Sequence, residues 1–153
     1  MYKCICHAVT DGDVDRYHLI GTKCGKCLEC PMGKKMLKKF KKKKIRTSLF
    51  INPSIRDVKL SKELNVDCVE IHTGKISNLV KSKKRYNEEL NRIKKCSILA
   101  NKLNIEVHAG HGLDYKTTKI LTKIKEIVEF NIGHFIIGES IFIGVSNVIK
   151  KFK

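Results

Sequence analysis

The stretch Ile105–His134, IEVHAGHGLDYKTTKILTKIKEIVEFNIGH, decides the fold, because it holds two short β-branched runs that each lead into a glycine–histidine segment. AGHGL occupies 109–113 and NIGH occupies 131–134, and the residues after each have the pattern of a helix. Glycine at a strand-to-helix turn exposes backbone N–H groups, and a helix start favours negative charge. Two such turns in consecutive β/α units predict a phosphate site with a titratable histidine beside each turn.

The same alternation of strand and helix extends upstream. The sequence predicts strands at 45–51, 68–71, 105–107 and 127–130. It predicts helices at 32–44, 55–64, 81–103 and near 116–124, then an apolar helix from 134 and a basic helix that ends at 153. Four strands alternating with helices imply an α/β fold with a parallel sheet and right-handed crossovers.

Polar and glycine residues recur where the predicted strands end, which is where β/α proteins place their functional groups. The second strand carries Glu70 and ends at His72-Thr73-Gly74, and the third and fourth strands end in the two glycine–histidine segments. A tight turn or a capped loop histidine explains any one of these positions alone. Three in succession favour a functional edge of the sheet.

Composition limits the classes of partner. The 153 residues suffice for one domain, and the net charge of +17 comes from 32 Lys+Arg against 15 Asp+Glu. The surplus is almost all lysine, spread over every segment, whereas nucleic-acid binders usually combine arginine clusters with stacking aromatics. A lysine-rich background composition explains the charge best, ahead of attraction for phosphorylated ligands, and nucleic acid is the weakest candidate partner.

No apolar run reaches the ~20 residues that span a bilayer. The longest, 135–145, is interrupted by Glu139, and the first residues do not begin an apolar signal sequence. We therefore expect a soluble, cytoplasmic protein without a membrane partner. Its seven cysteines are then expected to be thiols or metal ligands, since disulfides are rare in that compartment.

Four motifs closely resemble pyridoxine 5′-phosphate synthase, in the order and at a spacing comparable to that family. They are SLFINP at 48–53, VEIHTG at 69–74, AGHGLDY at 109–115 and EFNIGHFIIGESIFIG at 129–144. The resemblance covers about residues 32–153 and implies the carboxyl-terminal half of a TIM barrel, with four β/α units. It implies a transferase of vitamin B6 biosynthesis that condenses 1-deoxy-D-xylulose 5-phosphate with 3-amino-2-oxopropyl phosphate to pyridoxine 5′-phosphate, releasing inorganic phosphate and water.

The resemblance also implies residue roles. His111 matches the family's general acid, and an imidazole suits that work because it exchanges protons near neutral pH. Glu70 matches a buried carboxylate that stabilises the transition state. Gly112, Gly133 and His134 match the group that holds the phosphate of the aminoketone substrate. This chemistry requires no cofactor.

The sequence departs from the family in three respects. His108 stands where the family usually has asparagine, and Glu139 stands where a basic residue is often found. A TIM barrel needs about 250 residues, and the family's first half, with another histidine, a glutamate base and further substrate-binding residues, has no counterpart in this sequence. A half-barrel leaves two sheet edges uncovered. The expected partners are therefore a second copy of the chain or a complementary amino-terminal half, and a truncated or rearranged reading frame is a third explanation.

Residues 1–31 are predicted to form a separate cysteine-rich segment. The pairs Cys4-x-Cys6 and Cys24-x-x-Cys27 resemble the [2Fe–2S] domain of bacterioferritin-associated ferredoxin, which implies these four cysteines as cluster ligands. Zinc is the alternative metal, a segment without stable metal is a third reading, and Cys30 is an alternative fourth ligand. The alternative function is accordingly an electron-transfer module fused to an inactive barrel remnant.

Overall fold

Parallel strands in chain order form the sheet of this protein. The computed structural model describes residues 19–21 and 31–153. Within these ranges five strands are hydrogen-bonded in the order in which they occur along the chain, and every neighbouring pair is parallel. The strands are β1 (Leu19–Gly21), β2 (Ser48–Ile51), β3 (Cys68–His72), β4 (Glu106–Gly110) and β5 (Ile127–Asn131). The predicted parallel α/β sheet is confirmed.

Helices connect each strand to the next, as in consecutive β/α units. They are α1 (Pro31–Lys42), α2 (Ile55–Glu63), α3 (Gly74–Lys81), α4 (Asn87–Lys102), α5 (Tyr115–Leu121), α6 (His134–Ile143) and α7 (Val145–Phe152). The start of α2 follows the sequence prediction, since Ser54 is its N-cap and accepts a hydrogen bond from the Asp57 N–H. This architecture is consistent with part of a TIM-barrel-like unit.

The short strand β1 is not among the strands that the sequence predicts. It lies within the segment 1–31, and it pairs with β2 from Leu19 opposite Ser48 to Gly21 opposite Phe50. The predicted metal ligands Cys4, Cys6, Cys24 and Cys27 lie outside the described residues.

Side chains alternate between the two faces of the sheet, and here the faces differ in polarity. One face joins the hydrophobic core under the helices, where each of these side chains is at most 2% exposed: Leu49, Ile51, Val69, Ile71 and Val107. The alternate positions line an open cleft of about 630 Å³, formed by Arg46, Ser48, Cys68, Glu70, His108, Glu129 and Asn131. The apolar face therefore supplies the packing, and the polar face carries the candidate chemistry.

The helix predicted at 81–103 begins too early, because α3 ends at Lys81 and α4 begins only at Asn87. Lys83 has a φ of 53°, and the N–H groups of Lys83 and Lys84 donate to the carbonyls of Val80 and Leu79, which ends α3. The run from Lys81 to Arg85 offers no apolar side chain to bury and also contains no glycine or proline to mark the break. The sequence therefore missed α3 and placed the start of α4 too early.

The third strand is longer than the predicted 105–107. β4 continues to Gly110, so His108 and Gly110 are strand residues on the polar face, each in register with a residue of β3. The pairing with β3 on one side and β5 on the other supports this extension. The glycine–histidine turn therefore begins at His111.

Two buried thiols provide a test of this packing. Burial raises the pKa of Cys96 to about 11 and also raises the pKa of Cys68, and both side chains are 2% exposed. Because the thiolate is the nucleophile, iodoacetamide at pH 8 should modify both much more slowly in the folded chain than in urea, as followed by peptide mass mapping.

The same burial predicts the sign of the pH effect on stability. The neutral Cys96 thiol contributes to the free energy of unfolding. This contribution is fully present below the ordinary thiol pKa of 9.0 and is lost as the pH rises through about 11. Equal modification rates in the folded and unfolded chain would contradict the buried placement of these thiols.

Candidate active site

Two stacked histidines lie at the carboxyl edge of the sheet. The ring centroids of His72 and His111 are 4.6 Å apart, and their planes differ by 26°. Phe50 packs edge-on against His72 at 5.3 Å and lies 6.4 Å from His111. His72 ends β3 and His111 follows β4, and the parallel register of these neighbouring strands brings the two rings together.

The backbone at His111 and Gly112 is left-handed, with φ values of 80° and 74°. Glycine adopts this conformation readily, whereas it strains a histidine. Thr73 holds the turn: its N–H donates to the Gly110 carbonyl at 2.9 Å, and its hydroxyl lies 2.7 Å from that oxygen and 2.8 Å from the His111 carbonyl. Thr73 is fully buried, so these hydrogen bonds are shielded from water.

Gly74 leaves the space that the histidine stack occupies. A Cβ at this position would lie 2.8 Å from both His111 Cδ2 and His72 Cε1. Gly74 is also the first residue of α3, so the start of this helix lies directly against the two rings. A side chain here would displace at least one imidazole.

Glu70 is the buried carboxylate of the polar face. Its side chain is 8% exposed, and Asn131 donates from Nδ2 to its Oε2 at 2.9 Å. Its other oxygen lies over Gly110, where a Cβ would come within 1.9 Å of it. Burial raises the pKa of Glu70, while the Asn131 hydrogen bond and nearby His108 lower it, and Glu129 adds to the increase.

Lysines surround the outer side of the histidine stack. His72 and His111 border a cleft of about 450 Å³ whose wall includes Lys75 and Lys84. Lys81 donates to the Gly112 carbonyl at 3.3 Å. The His111–Gly112 turn therefore lies in cationic surroundings.

Gly133 and His134 lie at the exposed start of α6. Gly133 is the N-cap, and no atom lies within 4 Å of a Cβ built on it. Gly110 and Asn131 are paired in register. Gly112 lies two residues after Gly110, and Gly133 lies two residues after Asn131, so both glycines lie at the same edge of the sheet. The sequence predicted this adjacency of the two glycine–histidine turns.

An aromatic cluster holds the start of α6. The Phe135 ring packs against Tyr115 with a centroid distance of 4.8 Å, and Phe152 at the end of α7 lies 4.6 Å from Tyr115. Tyr115 is the first residue of α5. The helix that follows the NIGH segment is thereby fixed to the helix that follows the AGHGL segment.

The structure gives specific contacts to residues that the sequence only placed at the strand ends. Asn131 on β5 hydrogen-bonds to Glu70 on β3. Gly110 and Gly74 leave room for neighbouring side chains. Thr73 holds the strained turn. Strand periodicity could have placed Asn131 and Glu70 on one face, since their strands flank β4. The roles of the glycines and of Thr73 depend on tertiary contacts, for which the sequence contains no signal.

In the part of the chain that the structure describes, no group of three or more His, Cys, Asp or Glu side chains has the arrangement of a metal site. No helix within the same ranges is long and apolar enough to cross a membrane.

Comparison with known proteins identifies a family and several relatives. A family model described as "Pyridoxal phosphate biosynthesis protein PdxJ" matches residues 29–153. The chain is similar to the pyridoxine 5′-phosphate synthase of Pelagibacter ubique, with 65% identity over 120 residues, which are 78% of this chain and 50% of that protein.

More distant relatives carry the same name. The protein of Zymomonas mobilis is 47% identical over 109 residues, 71% of this chain and 42% of the relative. That of Sulfurihydrogenibium sp. is 42% identical over 120 residues, 78% of this chain and 49% of the relative. The chain spans about half the length of the curated relatives that it matches.

The contact between Gly110 and Glu70 gives a prediction for Gly110→Ala. The added methyl group should push the Glu70 carboxylate aside and break its hydrogen bond with Asn131, because the far end of that side chain can move while the strand cannot. We expect the chain to fold with its free energy of unfolding lowered by about 1–3 kcal/mol, measured by urea denaturation.

Gly138→Ala is the matched control. Gly138 lies inside α6 with no atom within 4 Å of an added Cβ, so alanine there should raise the free energy of unfolding by about 0.5–1 kcal/mol. If Gly110→Ala is as stable as the parent chain, Glu70 does not lie over Gly110.

Proposed function

Because the chain belongs to the family of pyridoxal phosphate biosynthesis proteins PdxJ, we propose that residues 29–153 form the carboxyl-terminal half of a pyridoxine 5′-phosphate synthase. The reaction condenses 3-amino-2-oxopropyl phosphate with 1-deoxy-D-xylulose 5-phosphate and releases phosphate and water as the pyridine ring closes. One observation carries the proposal: the His72–His111 stack and the Glu70–Asn131 pair converge at the carboxyl edge of one parallel sheet.

His111 is proposed as the general acid of the dehydration steps. Its strained backbone and its stack on His72 fix the ring, and its side chain is exposed at the sheet edge where a substrate can reach it. An imidazole can deliver a proton to a leaving hydroxyl near neutral pH. Thr73 holds the turn that carries this group, and Gly74 leaves the space that its ring occupies.

Glu70 is proposed to stabilise positive charge that develops in the transition state. Its carboxylate is buried, so its field is weakly screened, and Asn131 fixes the direction of one oxygen. Imine formation between an amine and a ketone passes through cationic intermediates, which such a carboxylate stabilises. Burial raises the pKa of Glu70, and the Asn131 hydrogen bond opposes this shift in favour of the charged form that this role needs.

The phosphate of the aminoketone is proposed to bind at Gly112, Gly133 and His134. Gly133 leaves the start of α6 open, and the first N–H groups of this helix of ten residues have no carbonyl partner within it. Such a terminus favours an anion. The adjacent His111–Gly112 turn and Lys81 extend the positive surface on the side of β4.

The polar face is proposed to be completed by further β/α units of the same family. Within the described residues β5 pairs only with β4 and leaves one edge open. Apolar side chains near this edge are between 58% and 83% exposed, namely Val128, Ile137, Ile141, Phe142 and Val145. Complementary units would pair with β5, cover these side chains and supply the pentulose phosphate site.

Complementation tests both parts of the proposal. The chain is mixed with the separately produced amino-terminal half of the Pelagibacter ubique relative, and phosphate release and pyridoxine 5′-phosphate are measured with both substrates. We expect product only from the mixture, and His111→Ala should reduce kcat by about 10²- to 10⁴-fold, whereas Lys119→Ala on the exposed face of α5 should not.

A mixture that forms a complex yet makes no product would overturn the proposed activity. Formation of a stable homodimer that excludes the added half, seen by light scattering, would instead assign the apolar edge to a second copy of the chain.

Gly133→Val separates phosphate binding from folding. A Cβ at Gly133 meets no atom within 4 Å, so stability should change little, but the rest of the valine side chain occupies the open space in front of α6. Isothermal titration with inorganic phosphate should show weaker binding to Gly133→Val and unchanged binding to Gly138→Ala. Equal affinity of both variants would exclude the start of α6 as the phosphate site.

For residues 1–31 we propose a metal-binding segment with Cys4, Cys6, Cys24 and Cys27 as ligands. The support is the spacing of two close thiol pairs, which suits a [2Fe–2S] cluster or zinc. Visible absorbance of the protein as isolated, with iron, sulfide and zinc analysis, distinguishes the two metals. A colourless protein without stoichiometric metal would remove this segment's proposed cofactor.

A further inference from the structure

His108 lies at the centre of a charged network on the polar face. It is 4% exposed, and its strand position is in register with Glu70 on β3 and Glu129 on β5. Its Nε2 lies 2.7 Å from Glu106 Oε1, and its Nδ1 lies 3.4 Å from Glu129 Oε1. Each ring nitrogen therefore faces a carboxylate.

The charge state of the ring follows from these partners. Arg46 donates to the same carboxylate of Glu106, and hydrogen bonds from His108 and Arg46 lower the pKa of Glu106, so Glu106 is an acceptor. A neutral imidazole carries one N–H and could satisfy only one carboxylate, while its other nitrogen would direct a lone pair at the second. Nε2 is hydrogen-bonded to Glu106 and Nδ1 lies at ion-pair distance from Glu129, so both carboxylates attract the imidazolium form, which has a proton on each nitrogen.

Other charged and titratable groups face His108 from each neighbouring strand. Glu106 lies on β4 itself, Glu70 and Cys68 lie on β3, Glu129 lies on β5, and Arg46 precedes β2. Burial raises the pKa of the Cys68 thiol, which keeps it neutral. Three carboxylates thus share the positive charges of Arg46 and His108.

Glu70 is the carboxylate of this group with the least access to water. Glu106 and Glu129 have side chains that are 44% and 52% exposed, whereas Glu70 is 8% exposed. Loss of water disfavours its charge most, and repulsion from Glu129 adds to this effect. Asn131 supplies one hydrogen bond, and the in-register neighbour His108 supplies the opposing charge.

We infer that His108 is a positioning residue which, as an imidazolium held between Glu106 and Glu129, keeps the neighbouring Glu70 side chain in its carboxylate form. The charge assignment depends only on the geometry of the network. Its value for catalysis rests on the proposed function, in which Glu70 acts as an anion.

The charge of His108 is measured directly on the unmutated chain. The ¹⁵N shifts of both ring nitrogens at pH 7 should be those of protonated nitrogens. One unprotonated ring nitrogen would overturn the inference.

The effect on Glu70 is measured by ¹³C titration of its carboxyl group, assigned with Glu70→Gln. The midpoint should move to higher pH in His108→Gln, because a positive neighbour is lost. Arg46→Gln is the matched control, since it removes a cation of the same network that is not paired with Glu70. In this variant the midpoint of the Glu70 titration should stay near that of the parent chain. Equal midpoints for all three proteins, or equal shifts in both variants, would overturn the role of His108.

The complemented enzyme adds a kinetic readout. The acid limb of the kcat profile should move to higher pH in His108→Gln with little change in KM, and should stay in place in Arg46→Gln. An unmoved acid limb in His108→Gln would overturn the catalytic part of the inference. If the complemented parent enzyme is inactive, the proposed function fails, and the two NMR measurements still decide the charge of His108 and its effect on Glu70.

Discussion

The buried carboxylate of Glu70 is the constraint on which the polar face of the sheet depends. A charge that is 8% exposed needs close partners to remain ionised. Gly110 must lack a side chain because the carboxylate lies over it, and Asn131 must reach it from β5. One group therefore ties three parallel strands to a single register, since a shift by one residue would turn its partners to the opposite face.

The histidine pair depends on the same register. His72 is paired in register with Gly110. The turn that follows Gly110 therefore places the His111 ring over the His72 ring. The strain of a left-handed histidine persists because the fully buried Thr73 is bonded to both carbonyls that flank the turn. The apolar face supplies the stability that holds this strain, and the opposite face carries the groups that we propose to react.

The alternation of strands and helices could be predicted from the sequence, because it follows from periodicity. The meeting of His72, His111 and the two glycine turns at one edge could also be predicted, because it follows from parallel pairing. The sequence was insufficient where tertiary contacts decide. The break before α4 lies at Lys83, a residue type that rarely adopts positive φ, and the length of β4 is set by pairing on both sides. The hydrogen bond from Asn131 to Glu70 joins residues 61 positions apart.

We propose that the two glycine–histidine turns form one anion-binding edge of the sheet. Backbone amide shifts in ¹⁵N-labelled protein, followed as inorganic phosphate is added, test it most directly. We expect the amides of Gly112, Gly133 and His134 to shift together along one saturation curve. Shifts confined to the lysine-rich helix α1, with these three amides unmoved, would contradict the proposal.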